Sequence, residues 1–484
     1  MQFLVPLLST LVLATHTLGY EARALAPDQA AEDVRIFRAS IERLHAGYGR
    51  YTSAEAMDAM FDDLEREAAD GMTDMELYRR TSLILSRMRC DHTKAELPQA
   101  IIDYRNETPT YLPFTFKLFA GRMHVANAAE GSPLERGDEI VSINGKPTGR
   151  VLADVQRYVS VDGFTDSTAR VEMEYSSEYL GDAVDHFWPF LYGWPTEWTL
   201  EVRTTAGDME THTLAPITYG EYRVLATGGR RSFNFPETVT FDVIDGETAS
   251  LSIGTFVNYR QPVAPATVFD PIFDQIAKND IDHLILDLRN CGGGSDDVPA
   301  TLTAYLTDSP VPVGKRPPWV RAKRLGDLEP FVRTWDKAAM NLPEEFFRDV
   351  GNGYFEVNVP GQAAAPVEAK TNRFDGRLTV LSSAANASGA TILIALLQER
   401  YGATVVGQPT GGSAEGPTAG IMLFVDLPHS DVTVRVPVIR SWVNVDHPEP
   451  GMGVTPDIVV EPTFDDWLAG TDTVLNAAIA LHDK

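Results

Sequence analysis

Apolar residues recur at three- and four-residue spacing, with charges between them, over residues 31–44, 54–68 and 73–88. That period predicts three amphipathic helices within a helical region spanning about residues 28–100. Gly71 interrupts the pattern, and Thr73 stands where an N-cap would begin the third helix. Pro98, Pro109 and Pro113 then mark a change to extended structure.

Residues 110–225 read mostly as strands. In the run GSPLERGDEIVSINGKPTGRVLADVQRYV, Ile140, Ser142 and Asn144 alternate with Val141 and Ile143, as one short strand requires. Asn144-Gly145 supplies two residues that tolerate positive φ, the signature of a tight hairpin. Residues 151–159 read as a short helix. This run of about thirty residues resembles a PDZ domain of the kind embedded in processing peptidases. The glycine-rich loop with which such domains cradle a peptide carboxylate is not evident before Arg122. Residues 176–200, rich in Trp, Tyr and Phe (HFWPFLYGWPTEW), are expected to pack against a neighbour rather than to line a groove.

From residue 248 the pattern changes again. Strands are expected at 249–256, 283–288, 378–382 and 403–406, and helices at 268–278, 298–306 and 389–401. Their alternation predicts an α/β core. Residues 310–372, rich in proline and charge, read as a long excursion or lid.

A chain of 484 residues exceeds one core. Its 44% hydrophobic and 23% charged composition is that of a globular protein. The formal net charge of -27 argues against a nucleic-acid partner, because a phosphate backbone would be repelled. Residues 3–14 form an apolar run of signal-peptide length, with small residues Thr17 and Gly19 ahead of Tyr20. This predicts an exported, secreted or periplasmic protein. No later run reaches the eighteen apolar residues of a spanning helix, so no stable membrane insertion is expected. Four divisions follow: a signal peptide over 1–19, a helical domain over 27–105, a PDZ-like domain with an insertion over 110–225, and an α/β core over 236–484. The pattern leaves the oligomeric state open.

Four segments of the core carry candidate chemistry. In LTVLSSAANASGATILIALL a strand runs through a polar turn into an apolar helix, placing Ser388 at a helix N-terminus followed by Gly389. Backbone N–H groups and the positive dipole end there can stabilise an oxyanion. In HLILDLRNCGGGSDD a buried strand ends in three glycines, so Gly292 and Gly293 can bring backbone N–H groups close to a ligand. VVGQPTGGSAEGPTAG and GMGVTPDIVVEP follow. A serine at a helix start is more often a simple N-cap, and a glycine triplet is more often a turn; only the combination points to chemistry.

These four segments, in this order, resemble the tail-specific (C-terminal processing) serine peptidases and their tricorn-type relatives, over about residues 245–465. The resemblance implies a crotonase-like ββα spiral, no cofactor, and endopeptidase action on polypeptides through an acyl-enzyme on Ser388, with Gly389, Gly292 and Gly293 forming the oxyanion hole.

The chain departs from the Ser–Lys members of the family. The lysine slot after VVGQPTGG is Ser413, and no lysine occurs from 371 to 483. Another base is therefore required. His92, in RMRCDHTKAEL, matches the upstream histidine of the Ser–His–Glu relatives, and imidazole titrates near neutrality. Glu449, near the slot before GVTPDI, and Glu415, beside the lysine slot, are the rival orienting carboxylates; His447 is a weaker alternative base. Cys90 lies two residues before His92 and Cys291 opens the glycine turn, so a disulfide between them is expected if both flank one site. The ten histidines are scattered and HExxH is absent, so no metal site is expected. The other reading is a catalytically silent relative that binds a peptide or apolar ligand, motivated by the missing lysine.

Overall fold

The computed structural model describes residues 19–176, 178–228, 234–309, 311–359 and 368–481. The expected signal peptide lies, but for Gly19, outside the described residues. No described helix is long and apolar enough to cross a membrane.

The three expected N-terminal helices form at Pro27–Leu44, Ala54–Ala68 and Asp74–Arg87. Thr73 caps the third: its hydroxyl accepts the Glu76 N–H at 3.1 Å while Glu76 Oε2 accepts the Thr73 N–H at 2.8 Å. Ile36, Phe37, Ile41, Phe61, Leu64, Leu77 and Leu85 turn inward from these helices and are at most 1% exposed.

A sheet follows in the order Phe114–Phe119, Arg122–Ala128, Glu139–Ile143, Trp198–Arg203, Met209–Leu214, all antiparallel. Asn144 and Gly145 take φ of 48° and 72°, and Ile143 pairs with Lys146 across the turn, which is the expected hairpin. The region is less strand-rich than its sequence reads. Helices Thr148–Gln156, Ser167–Glu174, Ala183–Tyr192 and Tyr219–Thr227 share it. The aromatic stretch is mostly the third of these; Phe187 and Trp188 are buried there, and Trp198 donates its indole N–H to the Tyr111 carbonyl at 3.0 Å.

The core sheet runs Val239–Val243, Thr248–Ile253, His283–Asp287, Arg377–Ser382, Thr404–Gly407, Ile458–Val459. Only the first pairing is antiparallel. Parallel neighbours need crossovers, supplied by helices such as Ala266–Lys278 and Ser388–Tyr401. Side chains alternate across it. Leu284, Leu286, Val380 and Val405 join the cluster under those helices, whereas Ile285, Leu381 and Val406 meet Val474 and Ala478 of helix Thr473–Ile479 on the other face.

Residues 310–372 do not form a detached lid where they are described. Trp319–Val320, Val332–Arg333, Phe347–Gly351 and Tyr354–Val357 are strands of a third sheet, built around the hairpin Thr418–Asp426 and Thr433–Arg440. Ala95–Glu96, just after His92, pairs with the same hairpin. The N-terminal part is thereby stitched to the core.

Candidate active site

Strand Arg377–Ser382 ends in a turn, and helix Ser388–Tyr401 begins at the serine. Ser388 has φ of 47°, a left-handed conformation rare for a residue with a side chain. Strand-to-helix turns that project a nucleophilic serine use such strain. The two neighbouring serines are occupied: Ser382 donates to the Gln408 carbonyl at 2.7 Å and Ser383 to the Arg289 carbonyl at 2.5 Å. Ser388 is half-buried, and its hydroxyl makes no hydrogen bond among the described residues.

What holds this turn is Asn386, which sequence reasoning missed. Wholly buried, it donates through Nδ2 to the carbonyls of Leu288 at 2.5 Å and Cys291 at 3.0 Å, and accepts the Ser383 N–H at 2.7 Å. Its own carbonyl accepts the Gly412 N–H at 2.8 Å. The serine turn is thus tied to two glycine loops. Arg289 stiffens the first of them by pairing with Asp287 and Asp472, both at 2.7 Å.

In the first loop Gly293 and Gly294 take φ of 100° and 142°. A Cβ at Gly293 would stand 2.8 Å from the Gly389 nitrogen, so the loop lies directly on the start of the serine helix. The Gly389 N–H belongs to the first helical turn, where no intrahelical acceptor exists. Gly292 is exposed, and a Cβ there would come no nearer than 3.9 Å to the Ala385 carbonyl. Gly293 and Gly389 therefore border Ser388, and Gly292 sits at the rim.

His92 follows the third helix in a turn closed by the Thr93 N–H on the Cys90 carbonyl at 3.0 Å. The turn is braced through Thr93 by His45, also missed. His45 Nδ1 accepts the Gly47 N–H at 2.9 Å, so Nε2 carries the proton and donates to the Thr93 hydroxyl at 2.6 Å. Burial holds His45 down to about 3, and it stays neutral. The His92 ring is half-buried, with Nδ1 buried and unpartnered among the described residues. A nearby carboxylate is Asp162, 3% exposed, whose Oδ1 accepts the Asp91 N–H at 2.9 Å while Oδ2 has no partner among the described residues. Burial raises the Asp162 pKa, and His92 is the first influence opposing it.

The loop carrying Asp162 links the two halves of the site. Thr165 donates to the Gly411 carbonyl at 2.6 Å, and the Phe164 N–H to the Gly451 carbonyl at 2.7 Å. Gly412 then reaches Asn386, two residues before Ser388. His92 and Ser388 border this one set of loops. No hydrogen bond joins them directly among the described residues.

The other expected site residues lie differently. Ser413, in the lysine slot, is buried, with the Tyr51 hydroxyl 3.5 Å away. Glu415 is engaged by Arg50 at 2.7 Å, by the Tyr51 hydroxyl at 2.7 Å and by the Gly451 N–H at 3.2 Å. Burial pushes its carboxyl up, but Arg50 and Tyr51 outweigh that and hold it below the ordinary range. Glu449 is exposed, and its contact is a backbone one, its carbonyl accepting the Met452 N–H at 3.0 Å.

The expected disulfide is corrected. Cys90 and Cys291 are both free. They are buried in different clusters: Cys90 donates to the Thr418 carbonyl at 3.3 Å, whereas Cys291 packs under the core helices. Burial pushes the Cys291 thiol up to about 12, which also removes it as a nucleophile at neutral pH.

A strained serine at a helix start, backed by a glycine turn at the end of a parallel strand, is the local geometry of a candidate nucleophile. The chain is a serine-type peptidase, a hydrolase. Residues 247–460 match the model of Peptidase family S41. The fold is similar to that of mature CPAF complexed with lactacystin, with a TM-score of 0.65 at 14% identity, covering 94% of this chain and 98% of that one. A second structure of mature CPAF gives a TM-score of 0.63 at 15% identity, over the same shares. At such identities the likeness is one of fold. No curated protein matches the chain.

Proposed function

We propose that the chain is an endopeptidase of the Ser–His subtype, cleaving unfolded or processed polypeptides through an acyl-enzyme on Ser388. His92 takes the Ser388 proton as the hydroxyl attacks the scissile carbonyl, then returns it to the leaving amine. Gly389 and the Gly293 turn receive the oxyanion, with Gly292 at the entrance. Glu415 is held by Arg50, and Glu449 is exposed, so the orienting role passes to Asp162. The single observation that carries the reading is Ser388 itself: positive φ, a free hydroxyl, and a glycine backbone packed against its Cβ.

The finer architecture belongs to the same proposal. The order strand Val239–Val243, strand Thr248–Ile253, helix Ala266–Lys278 supports a crotonase-like ββα core over 236–484. The hairpin sheet supports a PDZ-like module over 110–225, following a helical domain over 27–105. The apolar run at 3–14 supports export, secreted or periplasmic.

A fluorophosphonate probe tests the nucleophile. Wild type is expected to label and to cleave casein, Ser388→Ala to do neither, and His92→Ala to lose about 10³-fold or more in kcat. Labelling that survives Ser388→Ala removes the proposal. Full casein cleavage by a folded His92→Ala protein removes the histidine from it. Activity on nitrophenyl esters but not on casein would make the protein an esterase.

A further inference from the structure

The groups around His92 come from two loops distant in sequence, which is why ligand spacing along the chain shows nothing. A ring nitrogen of His92, the Cys90 sulfur and a carboxylate oxygen of Asp162 all lie within 4.8 Å of one another. Cys90 is 4% exposed and Asp162 3%. His92 Nδ1 and Asp162 Oδ2 are buried without a hydrogen-bond partner among the described residues. Leaving buried polar atoms unpartnered is costly and rare in folded proteins. The Cys90 thiol has one weak contact, to the Thr418 carbonyl.

We propose that Cys90, His92 and Asp162 form an inhibitory site for a thiophilic, tetrahedral divalent cation, zinc being the prime case, which acts by capturing the imidazole that Ser388 needs. The inhibitory consequence rests on the reading of His92 as base; the binding site does not.

The donor set is one sulfur, one nitrogen and one oxygen, a combination that suits zinc and disfavours magnesium and calcium, which take oxygen ligands. Three protein ligands leave a fourth position for water. Ligands around tetrahedral zinc sit at about 2.0–2.3 Å from the ion, hence roughly 3.3–3.8 Å apart; side-chain rotation from the present spread reaches that range. Burial pushes the Cys90 thiol up to about 12, so it stays protonated in the metal-free protein. On binding, the S–H proton leaves to solvent and a metal–sulfur bond replaces it, with no redox change. The thiolate and carboxylate then balance the two charges of the ion. The Asp91 N–H on Asp162 Oδ1 fixes the carboxylate from behind, as second-layer donors do in metal sites. His92, half-buried, is the member through which an ion enters. Once its ring nitrogen is coordinated and the ring held, the imidazole no longer accepts a proton from Ser388.

Cobalt(II) titration of the full chain carrying Ser388→Ala reports the site without activity. A thiolate-to-cobalt charge-transfer band is expected, reversed by zinc and absent in the added Cys90→Ser variant; no band in the Ser388→Ala protein overturns the site. In the wild type, zinc is expected to slow fluorophosphonate labelling at least tenfold, chelator to restore it, and calcium or magnesium to do nothing. Cys90→Ser alone should label at the wild-type rate in chelator and ignore zinc; equal zinc sensitivity overturns the proposal. If Cys90→Ser fails to melt cooperatively, Asp162→Asn decides, with cobalt affinity expected to fall tenfold or more and unchanged affinity overturning the site. Should the wild type never label, the peptidase mechanism fails while the cobalt band still decides the site. A band with labelling unaffected by zinc overturns the inhibitory role.

Discussion

A Cβ added to Gly293 would stand 2.9 Å from the Cβ of Ser388 and 2.8 Å from the Gly389 nitrogen. The loop from one strand end therefore presses its bare backbone on the residue that the next strand delivers. Gly293→Ala meets backbone on one side and has φ of 100° against it on the other, so the loop must move away from Ser388. The expected result is a fall of about 10²–10³-fold in kcat, the cost of losing one oxyanion donor. Steady-state kinetics on a peptide substrate check this, with circular dichroism confirming the fold.

Ser388 holds its left-handed conformation at a cost in stability. For an L-residue that cost is about 1–2 kcal/mol, and glycine escapes it while losing about 0.5–1 kcal/mol of chain entropy. Both Ser388→Ala and Ser388→Gly abolish probe labelling, but only the glycine relieves the strain. The glycine variant is expected to be the more stable by roughly 0.5–1 kcal/mol, read from urea midpoints. Equal midpoints would show the turn to be unstrained.

Much of this was legible in the sequence because it is local. The period of 3.6 residues marks the three N-terminal helices, alternation marks the sheet strands, and the LSSAANASGATIL run marks a serine at a strand–helix junction. What was not legible is long-range. Asp162 sits in an irregular loop after a helix, with no pattern of its own, and is held near His92 by the Asp91 N–H on its Oδ1 and by the Gly163 N–H on the Arg89 carbonyl. Glu415 looked free beside the lysine slot until Arg50, from the other end of the chain, was folded onto it. Residues 310–372 read as a lid because their strands are two to five residues long, too short to show alternation. Asn386 did leave a signal, as the amide two residues before Ser388 in the polar turn between an apolar strand and an apolar helix.

Asn386 makes three hydrogen bonds from a wholly buried position. Asn386→Ala leaves the Leu288 and Cys291 carbonyls and the Ser383 N–H without that partner. Each buried group so stranded costs about 1–3 kcal/mol, partly recovered where water enters, so a loss of about 2–4 kcal/mol is expected in a urea titration. Asn386→Asp replaces the Nδ2 donor with an acceptor facing two carbonyls, and should be no more stable than the alanine variant. A change under 0.5 kcal/mol, roughly the surface-substitution range, would show that the turn does not depend on this side chain.

Glu178 gives the protein an acid-sensitive joint near His92. Lys94 chiefly, with Arg435 adding to it, holds the Glu178 carboxyl below the ordinary range, toward about 2; its side chain is 35% exposed, so solvent screens part of the effect. Arg435 lies 2.7 Å from it, on the hairpin that pairs with Ala95–Glu96. A folded pKa below the unfolded value of about 4.3 means that the unfolded chain takes up the proton first as pH falls. The stabilisation is therefore complete above the unfolded value and fades between about pH 5 and pH 2. Glu178→Gln removes the charge at every pH. It should lower the urea midpoint at pH 7, lower it by a similar amount at pH 5.5, and converge on wild type as pH approaches 2.5. A midpoint difference that stays constant down to pH 2.5 would assign the effect to packing, because only the ionised carboxylate of the wild type disappears over that interval.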